Sequence, residues 1–208
     1  MQERVAGLSL FWSEARHGFV HFGHVPDLDW NQIYMNYLDK VMAAETTRDY
    51  YRVLMQLAPL LRDGHTNIYP PRELEDEFYA RPPLSTALVE DKVIVLRVDS
   101  PALARQLQVG DEIVAVDGLP VRDYAEQKVA PFASASTAQD RDVRLYSYQF
   151  LSGAAATPVK LRVRSAAQVE RDETVARSGY TDVSRKDTGG VRMLLKRRSL
   201  HCAQSVRE

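Results

Sequence analysis

The sequence predicts an α+β protein, an N-terminal helical bundle followed by a partly open β-barrel with short helices. Three observations predict it. Apolar residues before position 62 recur at steps of three and four, those after position 82 alternate every second residue, and Gly-Asp and Asp-Gly turns separate the alternating runs. The chain has 208 residues, enough for two modest cores.

The helical elements come first. Across residues 5–19, Leu8, Phe11, Trp12 and Ala15 fall on one face of a helix. Asp29 is placed to cap a second helix, because its carboxylate can accept the free amide protons of the first turn; Ile33, Tyr34, Tyr37, Leu38 and Val41 supply its buried stripe. Thr46 with Asp49 three residues on has the form of a capping box for a third helix, whose stripe is Tyr50, Val53, Leu54 and Leu57. Pro59 disturbs its last turn, so helical structure ends near Arg62. Asp63-Gly64-His65-Thr66 then makes a sharp turn in which Gly64 can take a positive φ. Asn67-Ile68-Tyr69 reads as briefly strand-like before Pro70-Pro71, and charged residues 72–77 read as a solvated connector.

Strands follow. Thr86-Ala87-Leu88-Val89 and residues 92–98 read as a hairpin around Glu90-Asp91. Ser100-Pro101 starts a short helical segment that Gly110-Asp111 ends, and residues 112–116 form the next strand. Asp117-Gly118 is a tight-turn signal, residues 124–129 read as helical, and residues 159–163 give a final strand. The division expected is therefore a helical domain over 1–80, a β domain over 81–165, and a linker with its tail over 166–208.

Composition excludes several classes. With 45% hydrophobic and 26% charged residues the chain reads as globular. Lys and Arg total 27 against 28 Asp and Glu, so no overall positive field favours nucleic acid. No stretch approaches the roughly 18 apolar residues of a membrane span. Residues 1–18 are amphipathic, with Glu3, Arg4, Glu14 and Arg16 interrupting them, and no signal peptide is read there. The single Cys202 can form no internal disulfide and does not assign a compartment, so periplasm and cytoplasm both stay open.

The run from Ser100-Pro101-Ala102 through Val109-Gly110-Asp111-Glu112-Ile113-Val114-Ala115-Val116-Asp117-Gly118 resembles the permuted PDZ domain of bacterial proteases. With the helical segment, Asp29-Trp30, the Asp-Gly-His-Thr turn and Ala176-Arg177-Ser178-Gly179-Tyr180, the order resembles the tricorn-core and carboxyl-terminal-processing serine peptidases over about residues 5–183. In tricorn-type members a histidine at this turn activates a serine supplied by a later catalytic domain, and a carboxylate completes the arrangement. By resemblance that histidine is His65. An imidazole can take the hydroxyl proton near neutrality, which is what a serine nucleophile needs. Tricorn itself has serine before the histidine, whereas Gly64 stands here. Processing-type relatives use a serine–lysine dyad instead, which leaves His65 as a residue that shapes the turn, so both roles stay open.

The resemblance implies a polypeptide substrate or a C-terminal peptide as partner, bound as an added strand near Leu84, Ser85 and Leu88, and it leaves homo-oligomerisation of a full-length form open. No Gly-rich carboxylate loop precedes that strand. Pro82-Pro83 occupies its place, and proline has no amide proton to donate. The module is therefore expected to serve as a lid or spacer. A non-enzymatic peptide-binding adaptor is the alternative. His17, His21 and His24 have helical spacing for a metal, but Gly18, Gly23 and Pro26 break the helix and no carboxylate or thiol completes a site, so no metal and no cofactor are assigned. Asp140, Asp142, Glu170 and Glu173 read as surface charge.

No catalytic serine domain is read before residue 208. Composition changes abruptly at Leu195-Lys196-Arg197-Arg198. Back-translating residues 201–208 and reading from the second base of each codon permits Ile-Ala-Leu-Asn-Gln-Phe-Glu, which resembles the family's next core strand. The expectation is a truncated or frame-shifted product that is inactive alone.

Overall fold

In the computed structural model, residues 1–180 are described; the tail from Leu195, the expected frame change and Cys202 lie outside the described residues. The described residues fall into two compact units that divide between Tyr69 and Pro70.

The first unit is helical. Helix α1 spans Gln2–Gly18, α2 Trp30–Ala43 and α3 Thr47–Leu57, continued by a 3-10 turn over Ala58–Leu61. The caps read from the sequence form. Asp29 accepts the amide of Gln32 at 2.9 Å, and Thr46 and Asp49 complete a reciprocal capping box, so donors that the first turns cannot satisfy internally are satisfied by side chains. Leu8, Phe11, Trp30, Tyr37, Val41, Leu54, Leu57 and Leu61 make one core. Burying a side chain of this kind is worth about 1.5–3 kcal/mol. Two polar atoms carried into it find backbone partners, Trp30 Nε1 donating to the Trp12 carbonyl and the Tyr37 hydroxyl to that of Gln56, both at 3.0 Å, whereas the buried Trp12 Nε1 has none. Burial also pushes the Tyr37 phenol up from its ordinary pKa.

The second unit opens with a short helix, α4 (Glu75–Phe78), and is otherwise built on a six-stranded antiparallel sheet. Its strands are β1 (Leu84–Val89), β2 (Lys92–Val98), β3 (Glu112–Val116), β4 (Leu119–Pro120), β5 (Pro158–Arg164) and β6 (Glu170–Ala176). They lie in the order β1-β2-β3-β5-β6, with the short β4 on β3. The sheet does not close; a single bridge from Arg81 to Ser178 brings its two ends together. This is the α+β arrangement expected from the sequence, a helical unit followed by an open sheet with short helices.

The turns follow their residues. Glu90 and Asp91 both take positive φ, as do Asp117 and Gly118, which is the geometry whose twist suits a two-residue hairpin. Short helices cover the sheet: α5 (Val121–Tyr124), which runs into a π-turn over Ala125–Val129, and α6 (Ala138–Val143), which runs into another over Arg144–Tyr148. Val93, Val95, Leu107, Ile113, Val116, Leu145, Tyr146, Val159, Leu161 and Val163 are the buried heart of this unit.

The structure departs from the sequence reading at several places. The connector does not stand apart from the sheet. Ala80 pairs with Gly153, and the Asp76 carboxylate and carbonyl hold the amides of Tyr180 and Ala155, so the unit begins before residue 81. Residues 67–69 form no strand, and the helical segment after Ser100-Pro101 shrinks to one 3-10 turn at Leu103–Arg105. Residues 170–176, read as linker, form β6. Finally α6 carries its own signal, the Thr137 hydroxyl accepting the Asp140 amide at 3.1 Å, a cap that the sequence reading passed over.

Candidate functional site

Each unit carries one candidate feature. In the helical unit it is the Asp63-Gly64-His65-Thr66 turn. The left-handed residue is Arg62, with φ 50°, rather than Gly64, which is buried. Arg62 accepts this conformation while its guanidinium pairs with Asp27 at 2.8 Å, and that pair holds the Asp27 carboxyl below its ordinary pKa. The turn is then bonded three times over. The Thr66 amide donates to the Asp63 carbonyl at 3.2 Å, the Thr66 hydroxyl to Asp63 Oδ2 at 2.6 Å, and the Asn67 side-chain amide to the Gly64 carbonyl at 3.2 Å.

His65 projects from this fixed loop with 94% of its side chain exposed, and its Nδ1 lies 3.7 Å from Asp63 Oδ1. That separation is an electrostatic contact rather than a hydrogen bond. The arrangement presents an imidazole to whatever docks on the turn, with a carboxylate behind one ring nitrogen.

Of the histidines before it, two come together. The rings of His21 and His24 stack at 5.2 Å with 16° between their planes, and Phe19 packs its edge on His21 at 5.8 Å. Among the described residues no group of three histidine, cysteine or acidic side chains is placed to hold a metal ion.

In the sheet unit the feature is the outer edge of β1. Leu84 is buried in the core, Leu88 packs against it, and Ser85 is half-buried. Their side chains are thus mostly spent on packing, and it is the backbone that a strand could use. Register decides which residues offer it. Thr86 lies opposite Val95, whose carbonyl and amide bond to Gly110 and Asp111 on the far side of β2. Thr86 and Val95 are therefore a non-hydrogen-bonded pair, and the Thr86 amide and carbonyl point away from β2, as do those of Leu88 two residues on. A bulge between Ser85 and Thr86 sets this phase, which the sequence did not reveal.

The segment ahead of β1 is poor in donors. Pro82 and Pro83 have no amide proton, and the Leu84 amide is turned inward to the Pro82 carbonyl at 2.8 Å. Against the edge itself lies the end of the helix that α6 begins. The Thr86 hydroxyl donates to the Tyr146 carbonyl at 2.6 Å, and the Ser147 hydroxyl donates to the Thr86 carbonyl at 2.7 Å. Neither Thr86 nor Ser147 was singled out by sequence reasoning; for Thr86 the signal that could have found it is a polar residue inside an apolar strand.

The Gly110-Asp111 turn is structural. Gly110 takes φ 94°, and Asp111 accepts the Gln108 amide at 2.9 Å while pairing with Arg171 of β6. Among the described residues no helix is long and apolar enough to cross a membrane.

No family model and no curated protein matches the chain. Solved structures do. Mature CPAF complexed with lactacystin matches with a TM-score of 0.66 at 17% identity, covering 84% of this chain and 34% of that one. Mature CPAF without that ligand matches with a TM-score of 0.65 over the same shares, again at 17% identity. The PDZ domain of a carboxy-terminal protease from Vibrio cholerae in complex with peptide matches more loosely, with a TM-score of 0.32 at 20% identity, over 49% of this chain and 95% of that one. The chain thus spans about a third of the length of the CPAF chains, and over most of its own length it has their fold.

Proposed function

We propose that this chain is the part of a serine endopeptidase that precedes the nucleophile, in which the PDZ-like unit gates a polypeptide substrate and His65 serves as general base. The observation that carries the reading is the Asp-Gly-His-Thr turn: a multiply bonded loop that holds almost nothing but an exposed imidazole, with Asp63 behind it. The resemblance to tricorn-core and carboxyl-terminal-processing peptidases supplies the reaction class.

In this reading a serine from a further domain approaches the solvent face of His65. Nε2 takes the hydroxyl proton as the oxygen attacks the peptide carbonyl, the imidazolium gains from the Asp63 carboxylate, and the proton passes on to the leaving amine. The oxyanion donors belong to that further domain.

The test joins residues 1–193 to the sequence encoded downstream in the frame that continues the family resemblance, and measures peptide hydrolysis. His65→Ala is expected to lower turnover about 100-fold or more. His65→Gln keeps a hydrogen-bonding group but accepts no proton, and is expected to fail similarly. Near-parent activity in His65→Gln would assign the base to another residue and leave His65 as a turn former.

A further inference from the structure

We propose that Ser147 is an internal stand-in for a bound peptide, and that the Thr86–Ser147 and Thr86–Tyr146 hydrogen bonds latch the strand-accepting edge of β1 shut. The inference rests on the reading above that this edge takes a polypeptide substrate.

A strand added to β1 must bond to the residues whose backbone groups face outward, Thr86 and Leu88. The first of these bonds would run from a peptide amide to the Thr86 carbonyl. The Ser147 hydroxyl already makes it, at 2.7 Å. The return bond uses a group made available by the end of a helix. Tyr146 sits in the terminal π-turn, closed by the Gln149 amide on the Arg144 carbonyl at 2.9 Å, so its own carbonyl is one of the last in the helix, which as a class lack an intrahelical partner. The Thr86 hydroxyl satisfies it at 2.6 Å.

The Thr86–Tyr146 bond is buried and the Thr86–Ser147 bond partly so. Thr86 is 4% exposed and Tyr146 2% exposed, so the bond between them cannot be exchanged for water without moving the helix end. A π-turn is a local departure from the α-helix and is often found where a helix has a task besides packing. Here it brings a carbonyl and a hydroxyl on successive residues to a single strand residue. The donor-poor Pro82-Pro83-Leu84 segment adds that no carboxylate grip compensates a peptide for displacing the latch. The occupant that fits is consequently an extended segment held by its backbone, admitted only when the end of the α6 helix swings out.

Ser147→Ala removes the stand-in donor, and Thr86→Val removes the return bond while keeping the branched side chain in the core. Binding to the 208-residue chain is read by fluorescence anisotropy with a pool of dansylated short peptides of random sequence, and the site is mapped by hydrogen exchange of residues 84–89. Both variants are expected to bind the pool about fivefold tighter than the parent or more, the worth of one net hydrogen bond, with new protection on β1. Thr86→Ser, which keeps the hydroxyl, is expected to stay at the parent's level. Circular dichroism checks that each variant is folded, and Thr86→Val alone suffices if Ser147→Ala is not. Equal binding by parent and variants, binding by none of them, or protection on β6 instead of β1 would each overturn the latch. Such a result leaves the His65 reading standing, because that reading is judged by turnover of the joined protein and not by peptide capture.

Discussion

Replacing Arg171 should destabilise the sheet unit more than replacing its partner Asp111 by asparagine. The reason is where each group sits. The Asp111 side chain is 4% exposed, whereas that of Arg171 is 32% exposed. Arg171 also donates to the Gln106 carbonyl at 2.8 Å and to Glu173 at 3.2 Å, and its bond to Asp111 is the chief cause that raises its pKa above the ordinary arginine value. Removing the arginine strands a buried carboxylate that keeps its bond from the Gln108 amide but loses its counter-charge, which is the costly half of a broken ion pair. A fully buried pair would cost about 3–5 kcal/mol to break, and one-third exposure of the arginine reduces this to about 2–3 kcal/mol for Arg171→Ala. Asp111→Asn keeps an acceptor for Gln108 and leaves an arginine that water and Glu173 can still serve, so about 1 kcal/mol is expected. Urea unfolding followed by far-ultraviolet circular dichroism reads the effect. Both tryptophans, Trp12 and Trp30, lie in the helical unit, so their fluorescence reports that unit separately. A loss below about 1 kcal/mol for Arg171→Ala, or a larger loss for Asp111→Asn than for Arg171→Ala, would refute the argument from burial.

Thr46→Ala should cost about 1 kcal/mol, seen as an earlier tryptophan-fluorescence transition, because it breaks the capping box of α3; an unchanged transition would show that packing alone fixes that end. Gly110→Ala should cost about 1 kcal/mol although no atom lies within 4 Å of the added carbon, since φ 94° strains any side chain; a neutral result would mean the turn relaxes. The Thr46 bonds to Asp49, and the arginine partners of Glu126 and Asp172, hold these three carboxyls below their ordinary pKa. A depressed folded-state pKa means that their contribution is complete above the unfolded value, about pH 4–4.5, and is lost as pH falls through the folded value. Stability should therefore decline on acidification below about pH 4.5, and a flat profile from pH 5 to 3 would contradict it.

Much of the helical unit was legible because its signals are local. A cap lies three residues from the amide it satisfies, and a stripe repeats every turn, so Asp29, Thr46 and the apolar residues of α1 to α3 state their roles within a few neighbours. The hairpin turns at Glu90-Asp91 and Asp117-Gly118 were readable for the same reason. Strand β6 was not. Its exposed face holds Glu170, Asp172 and Thr174, and its inner face holds Arg171 and Glu173 with a single buried apolar residue, Val175, so no alternation of apolar and polar residues marks it. It is a strand because Arg171 reaches the buried Asp111 and because β5 offers a full ladder from Pro158 to Arg164.

For the candidate site the same division holds. The sequence pointed to His65 through the resemblance that its Asp-Gly-His-Thr turn carries, and to the donor-poor Pro82-Pro83 ahead of a strand through residue chemistry alone. Tertiary structure alone decided that Arg62 rather than Gly64 takes the left-handed conformation, and that Asp63 lies beside the imidazole. It alone decided that Thr86 is the residue at the edge of β1. The phase of that edge depends on a bulge and on what Val95 bonds across the sheet, and the groups that cover it come from residues 146 and 147, sixty positions away in the chain. A hydrogen bond closed over that distance leaves no periodicity in the sequence; it exists only once both segments have been placed by the core between them.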